Sequence, residues 1–518
     1  MEIVGFDIPG WILITLCVLL YTYLMSRDFL TFWRMGIPGP TPRPILGNIA
    51  LHTKKGVRAF DKEGIKKYGK VFGFYDMIST NLVVTDKEMM KEILVKQFNN
   101  FPDRRGFVGG FSGDLEHSLL NVKGEKWKHD RSIISPTFSS GKLRKMVPSI
   151  QESCKTLMKT CRNSIKIRED RQVEMKGLFG GFTMDVISST AFGVNIDSQG
   201  NPDDPFIKHA KRMFDFTING LWTLLVMLFP PLSCVLVQFG IYAIPGDSMA
   251  YFRKFTMQLV EERKGRKEVG RTDFLQLMVN SEEGHQKDEN ERSDDRKEVS
   301  SKQKGGFGMT FDEILANAEV FFVAGYETTA ITLTMMAYNL ATNPECQDML
   351  RQEIEEKIGS KPVDAEDIQE LKYLDMCLNE TLRMFPPALR LERRCVKTTT
   401  LKGITIPAGM VVIIPIYAIH HDPDIWEKPD VFNPERFSAS EKAKHDSMDF
   451  LPFGNGPRNC IGMRLALTET KLAIANFVRN FRMSVGTKTD IPPLMDDVAI
   501  LKPYHMWLQL EEIEQTNE

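Results

Sequence analysis

One ten-residue stretch near the C-terminal end, FGNGPRNCIG at 453–462, limits what this chain can build. Four of its ten residues are Gly or Pro, so it reads as a loop, yet it holds a thiol, Cys460. A thiolate that ligates a metal must be approached by backbone N–H donors, which bulky neighbours would block. Glycine permits that approach and the positive φ angles it requires. Phe453, Gly456, Cys460 and Gly462 complete the pattern Phe-x-x-Gly-x-x-x-Cys-x-Gly. Ordinary residue frequencies produce it in a chain this long on the order of once in a thousand sequences. A helix starting near Ile461 would aim its positive end at the sulfur and lower its pKa. The plain alternative is an inert buried cysteine.

The other cysteines do not compete for that role. The eight (17, 154, 161, 234, 346, 377, 395, 460) are scattered without a Cys-x-x-C pair, which argues against structural zinc and a disulfide framework. Iron in haem can take an axial Cys thiolate, whose electron donation favours O–O cleavage. Net charge is −2, which gives no reason to expect a nucleic-acid partner. A length of 518 residues suggests about three domains, but no linker divides the middle of the chain.

The N-terminus is organised differently. Residues 8–26 carry no charge, and as a helix these 19 would span roughly 28 Å, close to a bilayer core. A cleaved signal peptide fits less well, because Glu2 and Asp7 replace a basic leader and no small-x-small site follows. Arg27, Arg34 and Arg43 place the remainder on the cytosolic side. The expected division is an anchor at 1–26, a Pro-rich linker at 27–48 and a catalytic domain at 49–518. Pro38, Pro40, Pro42 and Pro44 forbid a helix in the linker and favour a stiff extended one.

Within the body, 70–86 alternates as a strand pair, and helical periodicity dominates the rest. The apolar stretch 216–246 is broken by Pro230 and Pro231, each half too short to cross a membrane. It predicts two short helices that dip into a membrane surface or line an apolar cavity. Residues 281–306 are nearly all polar or charged and predict a solvated, mobile loop. Residues 310–341 predict a long helix opened by a Thr310/Glu313 capping box and apolar on more than one face, so it should run through the core.

With these residues in view, FGNGPRNCIG resembles the haem-binding loop of the cytochrome P-450 family of haem-thiolate monooxygenases. The similarity extends over essentially the whole chain after the anchor. TFSSGKLRKMVP, FTMDVISSTAFGVNIDS, RTDFLQLM, FVAGYETTA and RLERRC are similar to the drug- and steroid-oxidising three-A subfamily and its invertebrate relatives. The resemblance implies a mainly α fold with a minor β region, haem b with Cys460 as axial thiolate, and haem held between the long central helix and the Cys-loop helix. It implies oxygen insertion into lipophilic xenobiotics, steroids or fatty-acid-like substrates, at the endoplasmic reticulum membrane.

Individual residues follow from the same resemblance. Arg104, Trp127, Arg131, Arg393 and Arg458 are implied propionate partners, beside Phe453 and Gly462 of the loop. Ala324 and Gly325 would open a groove for dioxygen, and the acid–alcohol pair Glu327–Thr328 would deliver protons for its cleavage. The local alternative for Thr328 is a bond to the carbonyl four residues back that kinks the helix. Glu380, Arg383 and Arg436 form an implied structural network; by spacing alone Glu380-x-x-Arg383 is an ordinary ion pair, repeated at Glu289 and Arg292. Phe107, Leu120, Phe214, Val320, Val323, Ala324, Ala388 and Leu391 are implied to line the substrate pocket. Leu120 stands where the subfamily carries serine and Gly106 where it carries proline, so steroid positioning does not carry over.

The chain has no G-x-G-x-x-G opening a βαβ unit, so electrons must come from outside. An NADPH-dependent flavoprotein reductase is the implied donor, with a small haem electron carrier as a further partner. Lys123, Lys126, Lys128, Lys142, Arg144 and Lys145 offer either a docking patch for it or a merely solvated basic face. Two rival activities share the motif: a peroxide isomerase or dehydratase needing no electrons, and a haem carrier without turnover. The acid–alcohol pair favours oxygen activation over both.

Overall fold

The strand pair expected in 70–86 is present as β1 (Val71–Asp76) and β2 (Ser79–Val84), paired antiparallel, in a computed structural model of the chain. The structure describes residues 30–513 apart from 45, 78, 107–110, 202, 215–220, 243–244, 266–272, 282–307 and 499, and before residue 30 only 2–3, 6–7, 11–12, 15, 18–19 and 23. The expected anchor and the expected polar loop at 281–306 therefore fall largely outside the described residues. Of the former, Trp11, Val18, Leu19 and Tyr23 are helical and exposed.

The described chain is mostly helix. In order it forms α1 (Gly124–Ile134), α2 (Ser140–Ile167), β3 (Gln172–Glu174), α3 (Met175–Phe192), α4 (Leu221–Leu228) and α5 (Leu232–Gln238). Next come α6 (Phe311–Thr342), α7 (Lys372–Met384), β4 (Leu391–Arg394) and β5 (Val411–Ile414), then α8 (Met463–Asn480), β6 (Phe481–Ser484) and β7 (Trp507–Glu512). A four-stranded sheet runs β1-β2-β5-β4, with β2 and β5 parallel; a three-stranded sheet runs β6-β7-β3, and the remaining sheets among the described residues are two-stranded. The two short helices expected around Pro230 and Pro231 are α4 and α5.

The Pro-rich segment lies along the first sheet. Gly73 N donates to Pro38 O at 2.9 Å, and Asn48 N donates to Tyr75 O at 2.6 Å. Without usable N–H groups the prolines cannot extend the ladder, but their carbonyls still accept from it.

Helix α6 sets the layout. Glu313 N donates to Thr310 Oγ1 at 3.4 Å and Thr310 N to Glu313 Oε2 at 2.9 Å, the reciprocal box that its sequence predicts. Among the described residues it is the one helix long and apolar enough to cross a membrane, with mean hydropathy 1.3, but 72% of that window is buried inside the protein. It is a core helix, packed against α3, α7 and α8. Phe322 stacks on Phe192 of α3 with ring centroids 3.8 Å apart. A Cβ on Gly325 would stand 2.8 Å from Ile187 Cδ1, so part of this glycine's purpose is to let α3 come close.

Candidate functional site

A cavity of about 380 Å3 lies where α6 passes the 453–462 loop. Cys460, Phe453 and Gly462 line it from the loop; Val320, Ala324, Gly325 and Thr328 from α6; Ala388 and Leu391 from the chain entering β4. Leu120, Arg104, Trp127, Arg131 and Arg458 complete the wall on another side. Of the described residues expected to hold haem, line the substrate pocket or relay protons, Val323, Glu327 and Arg393 do not line it. Glu327 is buried off the cavity wall. Phe107 and the Phe214 side chain lie outside the described residues.

The loop is held by its backbone. Cys460 N donates to Phe453 O at 2.9 Å, and Gly454 and Gly456 take φ of 72° and 76°. A Cβ on Gly456 would lie 1.9 Å from Leu94 O, so this glycine is required by a neighbouring carbonyl rather than by access to the sulfur. Helix α8 begins at Met463 with Gly462 as its cap, two residues later than Ile461. The N–H groups of Gly462 and Met463 favour the ionised Cys460 sulfur.

The expectation of a lowered thiol pKa is reversed in the protein alone. Burial pushes the Cys460 thiol up and outweighs those N–H groups and the Arg131 and Arg104 guanidiniums. The sulfur residue keeps accessible surface because it borders the cavity, but the surrounding protein still desolvates it. A metal cation at the sulfur would supply the missing stabilisation.

Around the loop stand four arginines with little negative charge to answer them. Arg131 donates to Asn459 O at 2.9 Å and to Asn459 Oδ1 at 3.0 Å. Arg458 donates to Pro102 O and Val122 O, each at 2.6 Å, and its guanidinium carbon lies 4.8 Å from the Trp127 ring centroid. Its nearest carboxylate is Asp103, at 4.0 Å. Arg393 is 1% exposed and donates once, to Glu392 O at 2.9 Å; its Nε and Nη2 have no partner among the described residues. Burial, then mutual repulsion with Arg104, brings Arg393 and Arg458 down to about 9. Buried, unanswered guanidiniums are costly unless an anion completes them. A group with two carboxylates beside a thiolate-ligated iron fits this donor set, as haem has.

Glu380 and Arg383 pair through two bonds, Nε to Oε2 at 2.7 Å and Nη2 to Oε1 at 2.8 Å, both residues fully buried. Glu380 Oε1 also accepts from Asn433 N at 3.0 Å and from Arg436 Nε at 3.3 Å. Arg383 donates onward to His420 O at 2.7 Å and Pro429 O at 2.8 Å. The structure brings all three network residues together, and it adds His420, for which the sequence carries no signal.

The basic patch is thinner than its composition suggests. Lys126 Nζ is 2.6 Å from Glu313 and 3.0 Å from Asp130, and Lys128 is 2.8 Å from Glu125. Arg144 and Lys145 have no ion-pair partner among the described residues and stay exposed.

Comparison with known proteins agrees with this site. A sequence model described as cytochrome P-450 matches residues 37–508. Cytochrome P-450 3A11 of Mus musculus is 42% identical over 500 residues, covering 96% of this chain and 95% of that protein. Cytochrome P-450 3A2 of Rattus norvegicus is 42% identical over 495 residues, covering 95% and 94%. Cytochrome P-450 3A7 of Homo sapiens is 40% identical over 487 residues, covering 94% and 93%. With a lone thiol on a glycine loop, an unanswered arginine cluster beside it and this match over nearly its whole length, the chain belongs to the cytochrome P-450 family.

Proposed function

We propose that the protein is a membrane-bound haem-thiolate monooxygenase that inserts one atom of dioxygen into lipophilic substrates, with electrons from NADPH through a flavoprotein reductase. The observation that carries this reading is the one cavity on which Cys460, Arg104, Arg131, Arg458 and Thr328 converge. Cys460 would ligate the iron, and Arg104, Arg131, Arg393 and Arg458 with Trp127 would hold the propionates. Bound there, haem supplies the electron-accepting centre at which dioxygen is activated.

The chain's own residues do the rest. Val320, Ala324, Ala388, Leu391 and Leu120 exclude water and orient an apolar substrate. Thr328 Oγ1 donates its proton to Ala324 O at 2.7 Å, which leaves the oxygen's lone pairs to accept a hydrogen bond in the cavity and hold a proton donor there. Glu327, off the cavity wall, would replenish that proton from the interior side. Lys145 and Lys123, both exposed, remain for docking the reductase.

The proposed division is an anchor at 1–26, a linker at 27–48 and the catalytic body at 49–518, on the endoplasmic reticulum membrane. Exposed Trp222 of α4 and Phe239 beyond α5 support contact with a lipid surface. The test is spectroscopic first. Reduced under carbon monoxide, the protein should show the red-shifted thiolate–haem band, and a Cys460→Ser variant that kept it would remove the ligand assignment. NADPH should then be consumed with reductase and a lipophilic substrate. Turnover of a peroxide at equal rate without either would overturn the monooxygenase reading.

A further inference from the structure

A second cavity, of about 430 Å3, lies between α2 and α8. Its volume falls in the range of about 300–1,000 Å3 that small-molecule sites occupy. Leu143 and Val147 of α2 and Leu467 of α8 give it an apolar floor. Arg144 and Arg464 stand in its lining and are exposed.

These two guanidiniums are short of partners. Arg464 makes one bond, to the neutral Ser140 Oγ at 3.4 Å, and Arg144 has no hydrogen bond or ion pair among the described residues. Lys471, also in the lining, differs: it is held by Asp375 at 2.9 Å. Glu366 is the one carboxylate among the lining residues and pairs with neither arginine. Arginine matches a carboxylate in two parallel bonds, and apolar walls accept a hydrocarbon tail. A cationic rim over an apolar floor selects one charge sign and one shape of ligand.

We propose that this cavity is an effector site for a free carboxylate-headed amphiphile, bound head-first to Arg144 and Arg464 with its tail on Leu143, Val147 and Leu467. Leu467 lines both cavities, so an occupant of the second bears on the wall of the first. Neither arginine lines the first cavity, which separates this site from the substrate pocket.

The probe is dodecanoate, measured by equilibrium dialysis against the haem-loaded full chain with the first cavity blocked by an azole. One equivalent should still bind. Dodecanol and dodecylammonium should bind at least about tenfold more weakly. An Arg144→Ala/Arg464→Ala double variant with an unchanged haem spectrum should lose a similar factor. No binding once the azole is present, equal binding of the three head groups, or an unaffected double variant would each overturn the proposal. Displacement by a Glu-rich peptide at lower concentration than dodecanoate would also overturn it, by assigning the cavity to a protein partner. Should the double variant not take up haem, the head-group series on the unaltered chain still decides. The dialysis involves no turnover, so its outcome is independent of the monooxygenase test.

Discussion

His420 Nε2 accepts the N–H of Leu451 at 2.9 Å, while its Nδ1 faces Arg383 O at 3.2 Å. A ring nitrogen that accepts carries no proton, so the hydrogen is on Nδ1 and the imidazole is neutral. It thereby ties the Glu380–Arg383 network to the residue two places before the Cys460 loop begins.

That geometry gives the protein an acid-sensitive joint. Burial, then the Arg383 charge, lowers His420 from 6.5 to about 3. The unfolded chain binds a proton that the native one refuses, so this stability is fully present above pH 6.5 and is lost as pH falls towards about 3. The melting temperature of the full chain should decline across that window. A His420→Leu variant should decline less steeply, from a starting point lower by about 1–3 kcal/mol because Leu451 N–H is left unpaired. An unchanged slope would remove His420 from this role.

The Glu380–Arg383 pair makes a sharper stability prediction. Arg383→Met leaves a buried carboxylate still facing Arg436 and Asn433 N, and Glu380→Gln leaves a buried guanidinium. Each should cost about 3–5 kcal/mol in denaturant unfolding. The double replacement should cost less than the two single losses added together, because the pair fails as a unit.

Arg393 predicts the opposite sign in the haem-free chain. Its Nε and Nη2 are buried without partners among the described residues, and Arg104 and Arg458 repel it. Arg393→Met should therefore leave the haem-free protein unchanged or raise its stability by about 1–4 kcal/mol. The same variant should lose haem faster to an apomyoglobin scavenger. Destabilisation of the haem-free form together with unaltered haem loss would place the arginine in the fold rather than in the site.

How much of this was legible beforehand depended on range. The capping box of α6, the strand pair and the break at Pro230 and Pro231 are local patterns, written in residues a few positions apart. The Cys loop carried its signal in spacing. Relations such as His420 with Leu451, or Gly456 with the Leu94 carbonyl, join segments that only the finished fold brings together, and no periodicity marks them. Charge misled in the same way: Lys126 counts as basic surface in composition, but Glu313 and Asp130 occupy its ammonium group.

Two loop glycines should separate in unfolding experiments on the haem-free chain. Gly456→Ala places a methyl 1.9 Å from Leu94 O at φ of 76°, and backbone cannot move aside cheaply. It should cost about 1–3 kcal/mol or more. At Gly462 φ is −85° and the nearest atom is Phe138 Cε1 at 3.9 Å, so alanine should stay within about 0.5 kcal/mol. Equal losses would mean that the loop's shape does not depend on Leu94.

Thr328 and Glu327 also separate, by position on the helix. Thr328 lines the cavity and its hydroxyl is oriented by Ala324 O, whereas Glu327 is buried off the wall. In the proposed role, Thr328→Ala removes the oxygen that would hold a proton donor in the cavity, so the ratio of hydrogen peroxide released to NADPH consumed should rise severalfold. Thr328→Ser keeps both the hydroxyl and its bond to the carbonyl and should restore coupling. Glu327→Gln should shift the ratio less at neutral pH, since in the proposed relay it would act one step further from the substrate. If Glu327→Gln leaks more peroxide than Thr328→Ala, the proton reaches the cavity by way of the carboxylate, and the order of the two residues in the relay must be reversed.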